Sequence, residues 1–164
     1  MNLEIERKYL LTEDPRQLLA NGVITFLHEQ RIEQTYTAMD KDEELRVRRI
    51  VNVETKEVSY THTFKRGVGL AREEVEYEIN ETLYTQIMDA FGYIPLTKNR
   101  ITAKYNDITV EIDIYDQVNF TVVEVEFNSM EEADSFVPPT WFGEEISFNK
   151  TYSNKAVWKQ LQQK

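Results

Sequence analysis

Residues 3–10 read Leu-Glu-Ile-Glu-Arg-Lys-Tyr-Leu. A period of two puts Glu4, Glu6 and Lys8 on one face and Leu3, Ile5, Arg7 and Tyr9 on the other. Carboxylates two apart on a strand stand side by side at roughly 6–7 Å. At that spacing two negative charges repel by about 2–3 kcal/mol at an effective dielectric near 20. A strand in water tolerates this, whereas an enclosed one needs a cation between the carboxylates.

The same period recurs along the chain, again with a charged polar side. Over 44–51, Arg46 and Arg48 oppose Leu45 and Val47; over 58–65, Ser59, Thr61, Thr63 and Lys65 oppose Tyr60, His62 and Phe64. Over 72–79, Arg72, Glu74, Glu76 and Glu78 oppose Glu73, Val75, Tyr77 and Ile79. After Pro95, Lys98, Arg100, Thr102 and Lys104 share a face. Glu111 and Asp113 oppose Val110, Ile112 and Ile114, and Glu124 and Glu126 oppose Val123, Val125 and Phe127. A further strand is expected over 32–36, with polar turns at 39–43, 52–57, 66–71, 106–107 and 116–119. Helices are expected over 12–21 with Thr12 as N-cap, over 80–91 with Leu83, Ile87, Met88 and Phe91 as the apolar face, over 129–136, and over 153–163 with Trp158 as docking anchor.

Solvated sheet faces usually intersperse signs so that neighbours pair. Here the signs are segregated: Arg46 with Arg48, Lys98 with Arg100 and Lys104, against acidic pairs at Glu4/Glu6, Glu111/Asp113 and Glu124/Glu126. A sheet closed on itself resolves this by turning the charged faces inward and the apolar faces out under helices or a partner. The expected fold is therefore α+β but mainly β: a closed or nearly closed antiparallel eight-stranded β-barrel with a few flanking helices, one domain over residues 1–164. Such a lumen must be wet and bind ions of both signs. Carboxylate clusters suit Mg2+ or Mn2+, and Arg and Lys clusters suit phosphate. Divalent metal plus polyphosphate satisfies both.

The net charge of -10 argues against nucleic acid as a partner. The absence of cysteine removes disulfides, thiolate metal sites and a cysteine nucleophile. The charged N-terminus lacks the apolar core of a signal peptide, and no apolar run nears the ~20 residues of a membrane helix, so a cytoplasmic protein with no membrane association is expected. A homodimer is compatible with the outward apolar faces. Gly67-Val68-Gly69 lacks the Lys-Ser/Thr of a P-loop and reads as a plain turn. His28 has no companion at metal-ligand spacing, and His62, between Tyr60 and Phe64 on the apolar side, reads as a packed or partner-facing residue rather than a ligand.

The run Glu4-Ile5-Glu6-Arg7-Lys8 resembles the E-x-E-x-K signature of the triphosphate tunnel metalloenzymes, or CYTH superfamily, which includes thiamine triphosphatases, inorganic triphosphatases and class IV adenylate cyclases. Leu45-Arg46-Val47-Arg48 is similar to the family's paired-Arg strand and Thr63-Phe64-Lys65 to its tunnel Lys strand. Glu74 with Glu76, Lys98 with Arg100, Glu111 with Asp113, Glu124 with Glu126 and the closing Tyr152-Ser153-Asn154 follow in the family's order. The resemblance implies a triphosphate-tunnel fold and metal-dependent hydrolysis of a triphosphate, with Mg2+ or Mn2+. Its implied metal ligands are Glu4, Glu6, Glu111, Asp113, Glu124 and Glu126. Its implied substrate grips are Lys8, Arg46, Arg48, Lys65, Glu74, Glu76, Lys98, Arg100 and Lys150, and the residues at the reaction itself are Glu4, Glu6, Lys8, Arg46, Arg48 and Lys65. Inorganic tripolyphosphate is the expected substrate, with thiamine triphosphate and nucleoside triphosphates behind it. A class IV adenylate cyclase and a non-catalytic polyphosphate- or nucleotide-binding module are the alternatives.

Overall fold

Eight antiparallel strands close into a barrel in the computed structural model, which describes residues 2–163. In chain order they are β1 (Asn2–Leu11), β2 (Thr25–Met39), β3 (Glu43–Asn52), β4 (Val58–Arg66), β5 (Ala71–Glu78), β6 (Leu96–Tyr105), β7 (Ile108–Tyr115) and β8 (Thr121–Phe127). Around the barrel the order is β1-β5-β4-β3-β2-β6-β7-β8, so β1 closes it. β1 pairs with β5 only from Asn2 to Ile5 and with β8 from Ile5 to Leu11. The hairpins turn at the polar stretches the sequence marks, with Asn106 at φ 53° in the tightest of them. β2 is far longer than the 32–36 read from alternation, because bulges between Phe26 and His28 and between Tyr36 and Ala38 break its period.

Four helices flank the strands: α1 (Pro15–Ala20), α2 (Glu81–Phe91), α3 (Met130–Ser135) and α4 (Asn154–Gln162). α1 is shorter than expected, since Asp14 rather than Thr12 caps it, accepting from the Arg16 amide. Ser129 and Ser153 cap α3 and α4. α2 ends at Gly92 in the left-handed region, as the glycine suggests, and its inner side is centred on Tyr84, with Ile87 and Met88 of the expected apolar face half-buried beside it. Only Tyr84 is buried, against Tyr60 of β4, while Leu83 and Phe91 stay exposed. The helix meets the wall chiefly at β3 and β4, too narrow a surface to cover a full apolar stripe.

Two apolar cores result. The outward residues Tyr9, Leu11, Ile101, Ala103, Val110, Ile112, Val123 and Val125 lie under α1, the aromatics Phe136, Trp141 and Phe142 and neighbouring chain. The second core is inside one end of the barrel. There α4 sets Val157, Trp158 and Leu161 against Tyr36, Leu96, Tyr115 and Val122, and the Trp158 indole donates to the Thr35 hydroxyl at 2.9 Å. Between that apolar floor and the opposite end, the lumen is charged.

Candidate active site

The strand period delivers the charged side chains to the lumen in register. Across β1 and β8, Glu6 stands opposite Glu126 and Lys8 opposite Glu124; across β7 and β8, Glu111 faces Glu124. Arg48 pairs across to Gln34 on one side and Thr61 on the other, Arg46 to Tyr36 and Thr63, and Arg100 to Asp113. A cavity of about 480 Å³ opens at the α4 end. Glu4, Glu6, Lys8, Arg46, Lys65 and Lys150 of the expected set line it. Arg48, Lys98, Asp113 and Glu124 lie buried deeper, with Arg100 nearly so. Glu74 and Glu111 are partly covered, and Glu76 and Glu126 are exposed.

The cations that enclosed carboxylates require are present as ammonium groups. Lys65 Nζ lies 3.2 Å from Glu4 and 3.5 Å from Glu74, and Lys8 Nζ lies 3.4 Å from Glu124 and 3.9 Å from Glu6. Burial works against the charge on Lys8, but Glu124, Glu6 and Asp113 outweigh it and raise its pKa. Glu126 has no cationic partner among the described residues. Partial burial, then Glu4, Glu111, Glu6 and Glu74, push its pKa up, marking an uncompensated negative region. Among the described residues no three acidic or imidazole side chains already converge as ion ligands. The all-oxygen donor set around Glu4, Glu6 and Glu126 nevertheless fits a hard divalent cation, which would take the positions the ammonium groups now share.

The basic side is short of anions. Arg46 is buried, and its Nε has no hydrogen-bond partner. Arg48 donates from Nε to Gln34 Oε1 at 2.9 Å, a neutral acceptor. Burial first, and then the neighbouring Arg46 and Arg100, bring the Arg48 pKa down to about 10. Crowded guanidinium groups without carboxylate partners form a place for an external anion with several oxygens.

Asp113 and Lys98 do something different from what their positions in the sequence suggest. Asp113 is fully buried; it accepts from Arg100 Nε at 2.8 Å, Arg100 Nη2 at 3.0 Å and Lys98 Nζ at 2.7 Å. Burial opposes its charge, yet Arg100 and Lys98 hold it well below the usual carboxylate range. Lys98 is itself fully enclosed and reaches Asn154 Oδ1 at 3.4 Å, which also accepts from the Tyr115 hydroxyl at 2.6 Å. Burial depresses its pKa, with Asp113 opposing and Arg100 and Arg48 adding to the fall. Both groups are fully enclosed and spend most of their hydrogen bonds on one another, Arg100 and Asn154; the pair fixes Arg100, which also contacts Glu111 at 3.3 Å.

Several lining residues escaped the sequence reading. Glu44, buried and bonded to Arg72 Nη1 at 2.7 Å, shares the parity of Arg46 and Arg48, a signal that was available. Tyr36 reaches the cavity from the apolar floor, with Gln34 Nε2 donating to its hydroxyl. The central-strand aromatics Tyr60 and Tyr77 do face out, on Tyr84 and His62, but Phe148 and Val68, 70% and 67% exposed, stand at the cavity rim.

A family model described as CYTH domain matches residues 2–155. The chain is 34% identical over 158 residues to an inorganic triphosphatase of Nitrosomonas europaea, covering 94% of this chain and 95% of that protein. It is 29% identical over 160 residues to an inorganic triphosphatase of Acetivibrio thermocellus, with coverage of 97% and 95%. A crystal structure of an inorganic triphosphatase superposes with TM-score 0.62 at 31% identity, over 96% of this chain and 95% of that one. A protein of Pyrococcus horikoshii reaches TM-score 0.69 at 17% identity over 98% and 100%, a likeness of fold alone. Among the described residues no helix is long and apolar enough to cross a membrane.

Proposed function

The chain belongs to the CYTH domain family, and from that premise we propose that it is a metal-dependent hydrolase of inorganic tripolyphosphate acting in the cytoplasm. The observation that carries this is the cluster of Arg46, Arg48 and Arg100, two of them without a carboxylate partner, facing an acidic wall in one lumen. An anion alone would leave the acidic wall uncompensated, and a metal alone would leave the guanidinium groups so.

Glu4, Glu6 and Glu126, with Glu111 and Glu124 beside them, would hold Mg2+ or Mn2+, which would supply neutralisation of phosphate charge. Lys8 and Lys65 exchange their carboxylate partners for phosphate oxygens. Water attacks the terminal phosphorus in line: its oxygen forms a P–O bond while the anhydride P–O bond breaks. The electron pair leaves on diphosphate, held by Arg46, Arg48 and Arg100, and the proton passes to solvent. Asp113 serves by holding Arg100, with Lys98 behind it.

Phosphate release across tripolyphosphate, thiamine triphosphate, ATP and pyrophosphate, with and without Mg2+ or Mn2+, tests the assignment. Metal-dependent turnover highest on tripolyphosphate is expected; no turnover of any triphosphate would end it. Phe148 and Val68 at the rim favour a second activity, on a triphosphate carrying an organic group, which the ATP and thiamine arms measure.

A further inference from the structure

On β2 and β3, two adjacent cross-strand pairs have the same shape and different charge. Glu33 faces Arg49 on the outside of the barrel and accepts from its Nη1 at 3.4 Å. One residue on, Gln34 faces Arg48 on the inside, and its Oε1 accepts from Arg48 Nε at 2.9 Å. The partly exposed pair is ionic, whereas the buried one, where an uncompensated charge costs most, has an amide. A guanidinium only donates, so the Gln34 oxygen is the atom that meets it. The amide nitrogen then turns to the Tyr36 hydroxyl, to which it donates at 3.1 Å. Gln34 is fully buried, and these two contacts hold it in one orientation. In the same lumen Lys8, Lys65, Arg72, Lys98 and Arg100 each have a carboxylate at 3.4 Å or less. Among the described residues Arg48 has none. A glutamate has the shape of Gln34, would reach Arg48 equally, and would accept from Tyr36 once the phenol turned its proton. The position has room for an ion pair and lacks one.

Resting on the hydrolase assignment above, we propose that Gln34 is a positioning residue for the substrate anion: it fixes Arg48 in the lumen without neutralising it, so that the guanidinium charge is met by a phosphate oxygen. The missing ion pair is stability given up for affinity.

Gln34→Glu keeps the acceptor and adds the charge. Calorimetric titration of the intact protein with tripolyphosphate in excess chelator reads anion binding without turnover, and thermal unfolding without ligand reads the fold. The variant should melt at or above wild type yet bind tripolyphosphate roughly ten- to a hundredfold more weakly, the equivalent of one charge-assisted contact. Gln30→Glu is the control. It lies on the same face of β2 opposite Arg100, which already has its carboxylates, so it adds the same charge away from Arg48 and should hold the affinity within about threefold. Unchanged affinity in Gln34→Glu would overturn the proposal. A melting temperature well below wild type would do so too, since the amide would then serve packing alone. Equal losses in the two variants would mean only that a more negative lumen repels anions. A wild type that turns over tripolyphosphate with metal but does not bind it in chelator would also count against Gln34, because the guanidinium would not be what meets the phosphate. Wild type that neither binds nor hydrolyses tripolyphosphate would sink the hydrolase assignment itself, and the role of Gln34 with it.

Discussion

Replacing Asp113 with Asn separates a structural clamp from a metal ligand. The carboxylate is fully buried and takes hydrogen bonds from Arg100 twice and Lys98 once, at 2.7–3.0 Å. Asparagine keeps the shape but offers one acceptor oxygen and turns an N–H2 towards donors. Two buried cations then face each other with their shared anion gone. Breaking a buried pair in this way costs about 3–5 kcal/mol. For a chain of this size each kcal/mol moves the midpoint by about 2–4 °C, so the metal-free protein should melt roughly 6–20 °C lower. Calorimetric unfolding in excess chelator measures this directly. A companion Asp113→Leu, Lys98→Met variant should recover most of the loss, because it removes both charges and packs the space with apolar atoms. If Asp113→Asn melted with wild type in chelator but lost the stabilisation that Mg2+ confers, Asp113 would be a metal ligand and the clamp would be refuted.

Three other substitutions probe the remaining parts. Glu126→Gln should abolish metal-dependent phosphate release while leaving the metal-free protein as stable as wild type or more so at pH 7, because it removes a carboxylate that has only like-charged neighbours; wild-type turnover at limiting Mg2+ would show that Glu126 is no ligand. Arg46→Ala should weaken tripolyphosphate binding about ten- to a hundredfold, in line with one lost charge-assisted contact, and a collapsed melting temperature with intact binding would contradict it. Glu29, held below its usual pKa by hydrogen bonds from Arg16 and then Asn99, pins α1 to the barrel. Since its folded pKa is depressed, its contribution is full above the ordinary glutamate value near 4.3 and is lost as pH falls through the folded one. Glu29→Gln should therefore cost about 1–2 kcal/mol at pH 7 in urea unfolding and nothing in strong acid, whereas a gap independent of pH would rule the ion pair out.

Much of the lumen was legible in the sequence because a strand's period of two is rigid. Once Glu6, Arg46 or Glu124 is on a strand, its face follows. Depth along the lumen was not legible. Lys98 and Arg100 share a face, and nothing local separates them, yet α4 covers the level of Lys98 and leaves Arg100 reaching Glu111. The bulges in β2 and the rotation of α2 about Tyr84 were also out of reach, since both are set by tertiary contacts rather than by propensity. Phe148 lies at the rim because the 143–147 segment is pinned to β1, the Gly143 and Ile146 amides donating to the carbonyls of Leu10 and Lys8, a long-range anchoring without a sequence signature.

The strand synthesised first is the one placed last. β1 carries Glu4, Glu6 and Lys8, but its partners are the fifth strand and, over most of its length, the eighth. A nascent chain can therefore seat Glu4 once β5 has emerged but holds Glu6 and Lys8 unpaired until β8 has, and seating them requires a contact spanning most of the polypeptide, the slow kind in any folding reaction. No half-made barrel can display Glu6 beside Glu126. Ligand affinity thus appears in one step with closure, so an early release or a C-terminal truncation within β8 yields a species that is silent rather than partly active.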